Sequence, residues 1–282
     1  MQAASRQAYA TARERLDAFA DGAPPEQLRT LADDLLAVAG LVAREVRLRR
    51  ALSDPARAGA DRARLLRGLL GDRVGEPAQE LLDTLVAGRW SAASELLDGC
   101  EQLGVQALLA SADRAGQLAE VEDELFRFGQ VVAGNPALAA AIGDRGVPIE
   151  HRGRLVEQLL AGKATEVTVR LVRVALAGAG GSGTGPGFGG RSVAAGLTRL
   201  VELAAERRDR GVAYVTVATP LTGAAEQRLG AALSARYGRD ISVKTTVDPR
   251  VLGGARVRIG ADLYDGTIAR RLAHARTALA AS

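Results

Sequence analysis

Shifting the sequence by ninety positions superimposes its apolar pattern on itself, without a gap, from residue 35 to residue 86. Leu35, Val38, Leu41 and Val42 fall on Leu125, Phe128, Val131 and Val132. Leu65, Leu66, Leu69 and Leu70 fall on Leu155, Val156, Leu159 and Leu160, and Leu81-Leu82 falls on Leu171-Val172. The breakers align as well, Leu52-Ser53-Asp54 with Ile142-Gly143-Asp144. Apolar positions three and four apart mark the buried face of a helix, and two unrelated helices match by chance over ten residues, not over fifty. The chain therefore carries two copies of one helical bundle.

The patterns within the first copy bound its helices. One runs from Ser5 to Ala20 and stops at Asp21-Gly22-Ala23-Pro24-Pro25; a second begins near Glu26; others cover Arg57–Leu70, Glu76–Val86 and Ala92–Leu109. The repeat loses register at the counterpart of Gly88-Arg89-Trp90. There the chain inserts residues 178–190, eight of whose thirteen residues are Gly, a composition that predicts a mobile loop. A helix resumes through Val193, Leu197, Leu200 and Leu203 to Arg210.

After Gly211 the period changes. Val212–Val217, Ile241–Val247 and Ala255–Gly260 are strand-like, Thr222–Tyr237 is a helix with Thr222 as its N-cap, and Gly266–Ala280 is a closing helix. The expected fold is mainly α: two tandem helical bundles, residues 1–117 and 118–210, followed by a small α/β domain, 211–282. Aromatics are only 3% of the chain, so Leu, Val and Ala must build the core.

Chemistry-bearing motifs are sparse. Gly178-Ala179-Gly180-Gly181-Ser182-Gly183 satisfies G-x-G-x-x-G, but the repeat makes the preceding Leu171–Leu176 a helix, whereas a dinucleotide site needs a strand there. His151 and His274 stand far apart without Cys or carboxylate at ligand spacing, so no metal site is expected and both read as surface residues. Cys100 is the single cysteine; it reads as a buried structural thiol, forbids an internal disulfide and predicts a reducing compartment. The sequence has no secretion signal pattern and no apolar run of the ~18–20 residues that cross a bilayer. No active site assembles, and no cofactor is expected.

Net charge is +4, almost wholly from Arg, and residues 211–282 hold ten basic against five acidic side chains while the remainder is close to balanced. That excess suggests an acidic partner. The densest cluster, Arg44, Arg47, Arg49 and Arg50, lacks interleaved aromatics and reads as a solvated helix end rather than a nucleic-acid surface.

One segment is position-specific over its whole length. It runs Ile241–Gly260 through Val247, Asp248, Pro249, Leu252, Gly253, Gly254, Val257 and Ile259, then continues with Tyr264, Asp265, Gly266, Thr267 and Ile268 and with Arg271-Leu272. Pro249 ends a strand, Gly253-Gly254 permits a tight reversal, and Asp265 with Thr267 can cap the last helix. This segment resembles the signature of the delta subunit of F-type ATP synthase, whose mitochondrial relative is the oligomycin-sensitivity-conferring protein. The Tyr9-Ala10 pair in the first helix fits the same family. The family's usual length is near 180 residues with one bundle; this chain resembles longer bacterial versions with a second.

The resemblance implies a non-catalytic stator, one copy per complex, peripheral on the cytoplasmic face of the cell membrane without inserting into it. Its partners would be the N-terminal helices of the alpha subunits and subunit b of the peripheral stalk, with no nucleic acid. In the family the alpha helix lies between the first and fifth helices. Mapped onto residues 3–20 and about 92–110, that groove would present Tyr9, Arg13, Leu16, Leu96 and Leu103, although core packing produces the same Leu spacing. The other class open to such a sequence is a helical-repeat adaptor or nucleic-acid-binding regulator, which accounts for the repeat and the basic charge but not for the 241–272 segment.

Overall fold

A computed structural model describes residues 1–178, 192–210, 212–237, 241–251, 253–259 and 262–267. Eleven helices come first: α1 Ala3–Gly22, α2 Pro25–Arg44, α3 Val46–Ser53, α4 Gly59–Leu70, α5 Glu76–Ala87, α6 Ala93–Arg114, α7 Leu118–Gly134, α8 Pro136–Gly143, α9 Ile149–Leu160, α10 Glu166–Gly178 and α11 Val193–Arg210. The chain divides into two compact units, Met1–Ala204 and Ala205–Ser282.

The ninety-residue offset governs three dimensions as well as one. α3 and α4 shifted by ninety give the bounds of α8 and α9, and α1 and α5 give the starts of α6 and α10. α6 is therefore both the sixth helix of the first copy and the first helix of the second. Its residues from Gln102 to Ala112 are all buried, because neighbours surround it. The two copies share this helix and one continuous core, so packing does not divide at residue 117. On α2, Leu28, Leu31, Leu35, Val38 and Val42 are buried, each stabilising the unit by about 1.5–3 kcal/mol relative to exposure.

Polar anchors repeat too. The Asp34 carboxylate accepts from the Gly75 amide at the start of α5 (2.8 Å). Ninety residues on, the Glu124 carboxylate accepts from Thr165 N (3.0 Å), Thr165 Oγ1 (2.9 Å) and Thr168 Oγ1 (2.6 Å) at the start of α10. Each tie satisfies amides that a helix start leaves open. α2 ends sooner than its charge pattern suggests: Glu45 leaves helical geometry (φ −95°, ψ 83°), and Arg49 turns back to donate to the Val42 and Ala43 carbonyls (3.2 and 3.1 Å). The basic cluster thus spans a helix break whose carbonyls it caps.

Copy two differs from copy one on one face. Leu36 lies under Gly104, where an added Cβ would come within 2.6 Å of the Leu36 side chain. Its counterpart Phe126 is 53% exposed. The segment equivalent to the first half of α6 falls in 183–192, almost all of it in the Gly-rich stretch, which lies outside the described residues.

The second unit contains β1 Val212–Val217, α12 Gly223–Tyr237, β2 Ser242–Val247, β3 Ala255–Ile259 and β4 Asp262–Asp265, in sheet order β2-β1-β3-β4. β1 and β2 are parallel, as a helical crossover requires; β3 and β4 add antiparallel. Ala213, Val215, Val217, Val257 and Ile259 fill one face beneath Leu229, Leu233 and Tyr237. Thr222 Oγ1 accepts from Ala225 N (3.3 Å), the expected N-cap. β4 is an addition to the sequence reading, and Gly266 and Thr267 are not helical. The rest of the expected closing helix, and His274, lie outside the described residues.

Candidate functional site

Leu16, Leu96 and Leu103 are fully buried. They pack inside the first unit and offer no surface to a partner. Tyr9 and Arg13 are half-buried on α1, and Arg13 Nη2 donates to Gln106 Oε1 on α6 (3.1 Å). The placement of the fifth helix also needs correcting. Val46–Ser53 is a helix of its own, so residues 93–114 form the sixth helix and α5, Glu76–Ala87, is the fifth.

Between α1 and α5 lies an open groove of about 280 Å³ lined by Ala4, Gln7, Ala8, Thr11, Thr84, Gly88 and Arg89. Five of these seven residues are small, which lets the helices approach closely: a Cβ on Gly88 would come within 2.4 Å of the Ala8 Cβ. Arg15 Nη1 donates to Thr84 Oγ1 across the same seam (2.6 Å). Behind it, the buried Arg62 donates through Nη2 to the Ala87 and Gly88 carbonyls (3.1 and 3.0 Å), fixing the end of α5. Burial lowers the Arg62 pKa, with Arg89 nearby acting in the same direction and Asp54 opposing.

The second copy has a cleft that overlaps the corresponding place. Its volume is about 560 Å³, and it is lined by Glu101 and Val174, which stand ninety residues after Thr11 and Thr84. Here, however, Leu36, Ala39, Gly40 and Ala43 of α2 form a third wall. Arg170 on α10 donates to both Asp33 oxygens (2.9 and 2.8 Å) and to Glu166 (2.7 Å), clasping α2 to α10. Of the two grooves, one faces outward between two helices and one is walled by the chain itself.

The segment singled out after residue 241 builds the fold of the second unit. Asp248 accepts from Arg250 N, Nε and Nη2, each at 3.0 Å, and these bonds hold its carboxyl below the usual carboxylate range. Gly253 and Gly254 have φ of 73° and 78°, which β-carbons disfavour, and a Cβ on Gly254 would meet the Gly266 carbonyl at 2.5 Å. Asp265 accepts from Thr267 Oγ1 (2.6 Å) and N (3.1 Å), which lowers its pKa. Val257 and Ile259 are buried, Val247 is 44% exposed, and Leu252 and Gly260 lie outside the described residues. These residues make the β2–β3 reversal and the exit from β4.

Cys100 is buried, and burial, aided by Glu101, pushes its thiol up to about 12, so it is inert as a nucleophile. His151 is exposed, and Leu171–Leu176 is helical. Among the described residues no group of His, Cys, Asp and Glu could hold a metal, and no helix is long and apolar enough to cross a membrane.

The family model for "ATP synthase delta (OSCP) subunit" matches residues 105–181 and 190–279. The chain is 63% identical to ATP synthase subunit delta of Salinispora arenicola over 281 residues, 99% of each chain. It is 60% identical to that of Salinispora tropica over 281 residues, again 99% of each, and 49% identical to that of Streptomyces avermitilis over 277 residues, 98% of each.

Proposed function

This chain belongs to the ATP synthase delta (OSCP) subunit family, and on that premise we propose that it is a non-catalytic stator subunit joining the peripheral stalk to the catalytic head. The likeness to delta subunits over essentially the full chain carries this reading. The helical unit binds the N-terminal helices of the alpha subunits, and the C-terminal unit binds subunit b. One copy serves each complex, held peripherally at the cytoplasmic face of the cell membrane by its partners.

The open groove between α1 and α5 is the docking place for an alpha-subunit helix. An amphipathic helix laid between two others buries apolar anchors at helical spacing, and small lining residues let its backbone come close. The walled cleft of the second copy is a poorer receptor, because α2 already occupies one side. Shared packing through α6 makes the two copies stiff together, which suits a part that resists torque.

Titrating the full chain with a synthetic alpha-subunit N-terminal peptide tests the assignment. Thr11→Trp should weaken binding at least tenfold, while Val174→Trp leaves it unchanged. The reverse result places the helix in the second copy, and indifference to both removes the docking reading.

A further inference from the structure

α12 covers one face of the four-stranded sheet. On the other face the strand register aligns Tyr214 of β1, Arg258 of β3 and Leu263 of β4 in one row. A second row holds Thr216, Arg256 and Asp265. Leu263 is 60% exposed, and Arg256 and Arg258 are exposed. The Arg258 guanidinium sits over the Tyr214 ring, 4.6 Å from its centroid, and Tyr214 Oη donates to Asp209 (3.2 Å). Arg256 pairs with Asp265 (3.4 Å), whereas Arg258 has no carboxylate partner among the described residues.

We propose that this sheet face, centred on Tyr214, Arg258 and Leu263, docks an acidic amphipathic helix of the peripheral-stalk subunit. The inference rests on the stator reading above and names the surface and chemistry that reading leaves open. Three strands spaced ~4.8 Å apart give the row a width of ~10 Å, the diameter of a helix. Leu263 supplies an apolar anchor beside a cation that stacking on Tyr214 holds in place, so little side-chain entropy is lost on pairing. The ten-to-five basic excess of residues 211–282 selects an acidic occupant and disfavours a second copy of this chain. A nucleic acid fits less well: sheet faces that read single strands offer two or three free aromatic rings, and here Arg258 covers Tyr214, the one aromatic on this face among the described residues.

The test is calorimetric titration of the full chain with the soluble domain of subunit b, with binding of the alpha-subunit peptide as the measure of an intact fold. Arg258→Glu should weaken b binding at least tenfold and Leu263→Ser several-fold, both leaving peptide binding unchanged. Arg228→Glu, exposed on α12, should bind b as the parent does. Undiminished b binding by both face variants overturns this assignment and leaves the stator reading standing. Failure of the parent chain to bind b overturns both. Binding of a single-stranded oligonucleotide that Arg258→Glu abolishes, without effect on b, overturns the acidic-helix occupant.

Discussion

α1 and the end of α5 approach most closely where Gly88 meets Ala8, and Gly88→Ala tests how much depends on that contact. Gly88 has φ −64° and ψ 164°, a conformation any residue adopts, so alanine incurs no backbone strain. The cost is steric. The new Cβ would stand 2.4 Å from the Ala8 Cβ and 3.2 Å from its Cα, against ~3.5–4.0 Å for carbon contacts at their optimum. α1 and α5 must part by about 1 Å, while Arg62 holds the Ala87 and Gly88 carbonyls from behind. Overpacking of this kind costs about 1–3 kcal/mol, and the stiffer unfolded chain returns about 0.4–1 kcal/mol. A net loss of about 1–2 kcal/mol is expected, read as a lower midpoint in urea unfolding at unchanged slope. Ala8→Gly removes the colliding atom, so adding it to Gly88→Ala should recover most of the loss, a coupling that a double-mutant cycle measures. If Gly88→Ala is neutral, or if Ala8→Gly fails to rescue it, the close approach of the two helices is not what shapes the groove.

Four further substitutions probe other parts of the helical unit. Arg62→Ala strips two carbonyls at the end of α5 of their donor and should cost about 2–3 kcal/mol in equilibrium unfolding, tempered by removal of the Nε and Nη1 groups that have no hydrogen-bond partner. Glu95 should give a pH-dependent contribution: burial pushes its pKa up, but the Ser5 hydroxyl, the Gln2 amide and the Met1 ammonium outweigh that and hold it low. A carboxyl depressed in the folded state stabilises above its unfolded pKa, ~4.3, and loses that contribution as pH falls through its folded value. The stability gap between the parent chain and Glu95→Gln should therefore be full at pH 6–7 and shrink only as pH falls below the ordinary carboxylate range toward the depressed folded value. Leu36→Ser should cost about 2 kcal/mol where α6 covers it, and Phe126→Ser, its exposed repeat counterpart, less than about 0.5 kcal/mol; equal effects would deny the asymmetry between the copies.

The helices were legible because each copy buries a stripe with a strong period, and aligned breakers confirmed it. Their assembly was less so. An offset of ninety residues gives the order of the helices, but not that α6 serves both copies, since the sharing is a matter of packing. Val46–Ser53 was missed as a separate helix because its break comes at Glu45 within a run of arginines, with no Gly or Pro to announce it. The same omission displaced the expected groove by one helix. Mapping the family's groove onto the wrong helix pointed to Leu16, Leu96 and Leu103, which are core, while the groove is lined by Ala, Gly, Thr, Gln and Arg that carry almost no hydrophobic signal. Arg62 and Arg152 occupy repeat-equivalent buried positions yet bond different carbonyls, Ala87 and Gly88 in one case and Ile142 and Val147 in the other. Identical placement in a repeat does not fix a side chain's partner. In the sheet, Asp262–Asp265 pairs as a strand although two of its four residues are acidic, because an edge position asks little of its side chains.

The account's central claim is that one chain bridges head and stalk. Native mass spectrometry of the full chain with the purified catalytic head and the soluble part of subunit b tests it most directly. The account predicts a ternary species with one copy of this chain per head, in which b is lost when this chain is left out. Trimming the alpha N-termini should release this chain with b still attached to it. A head that binds b equally well without this chain, or a chain that binds neither partner, would contradict it.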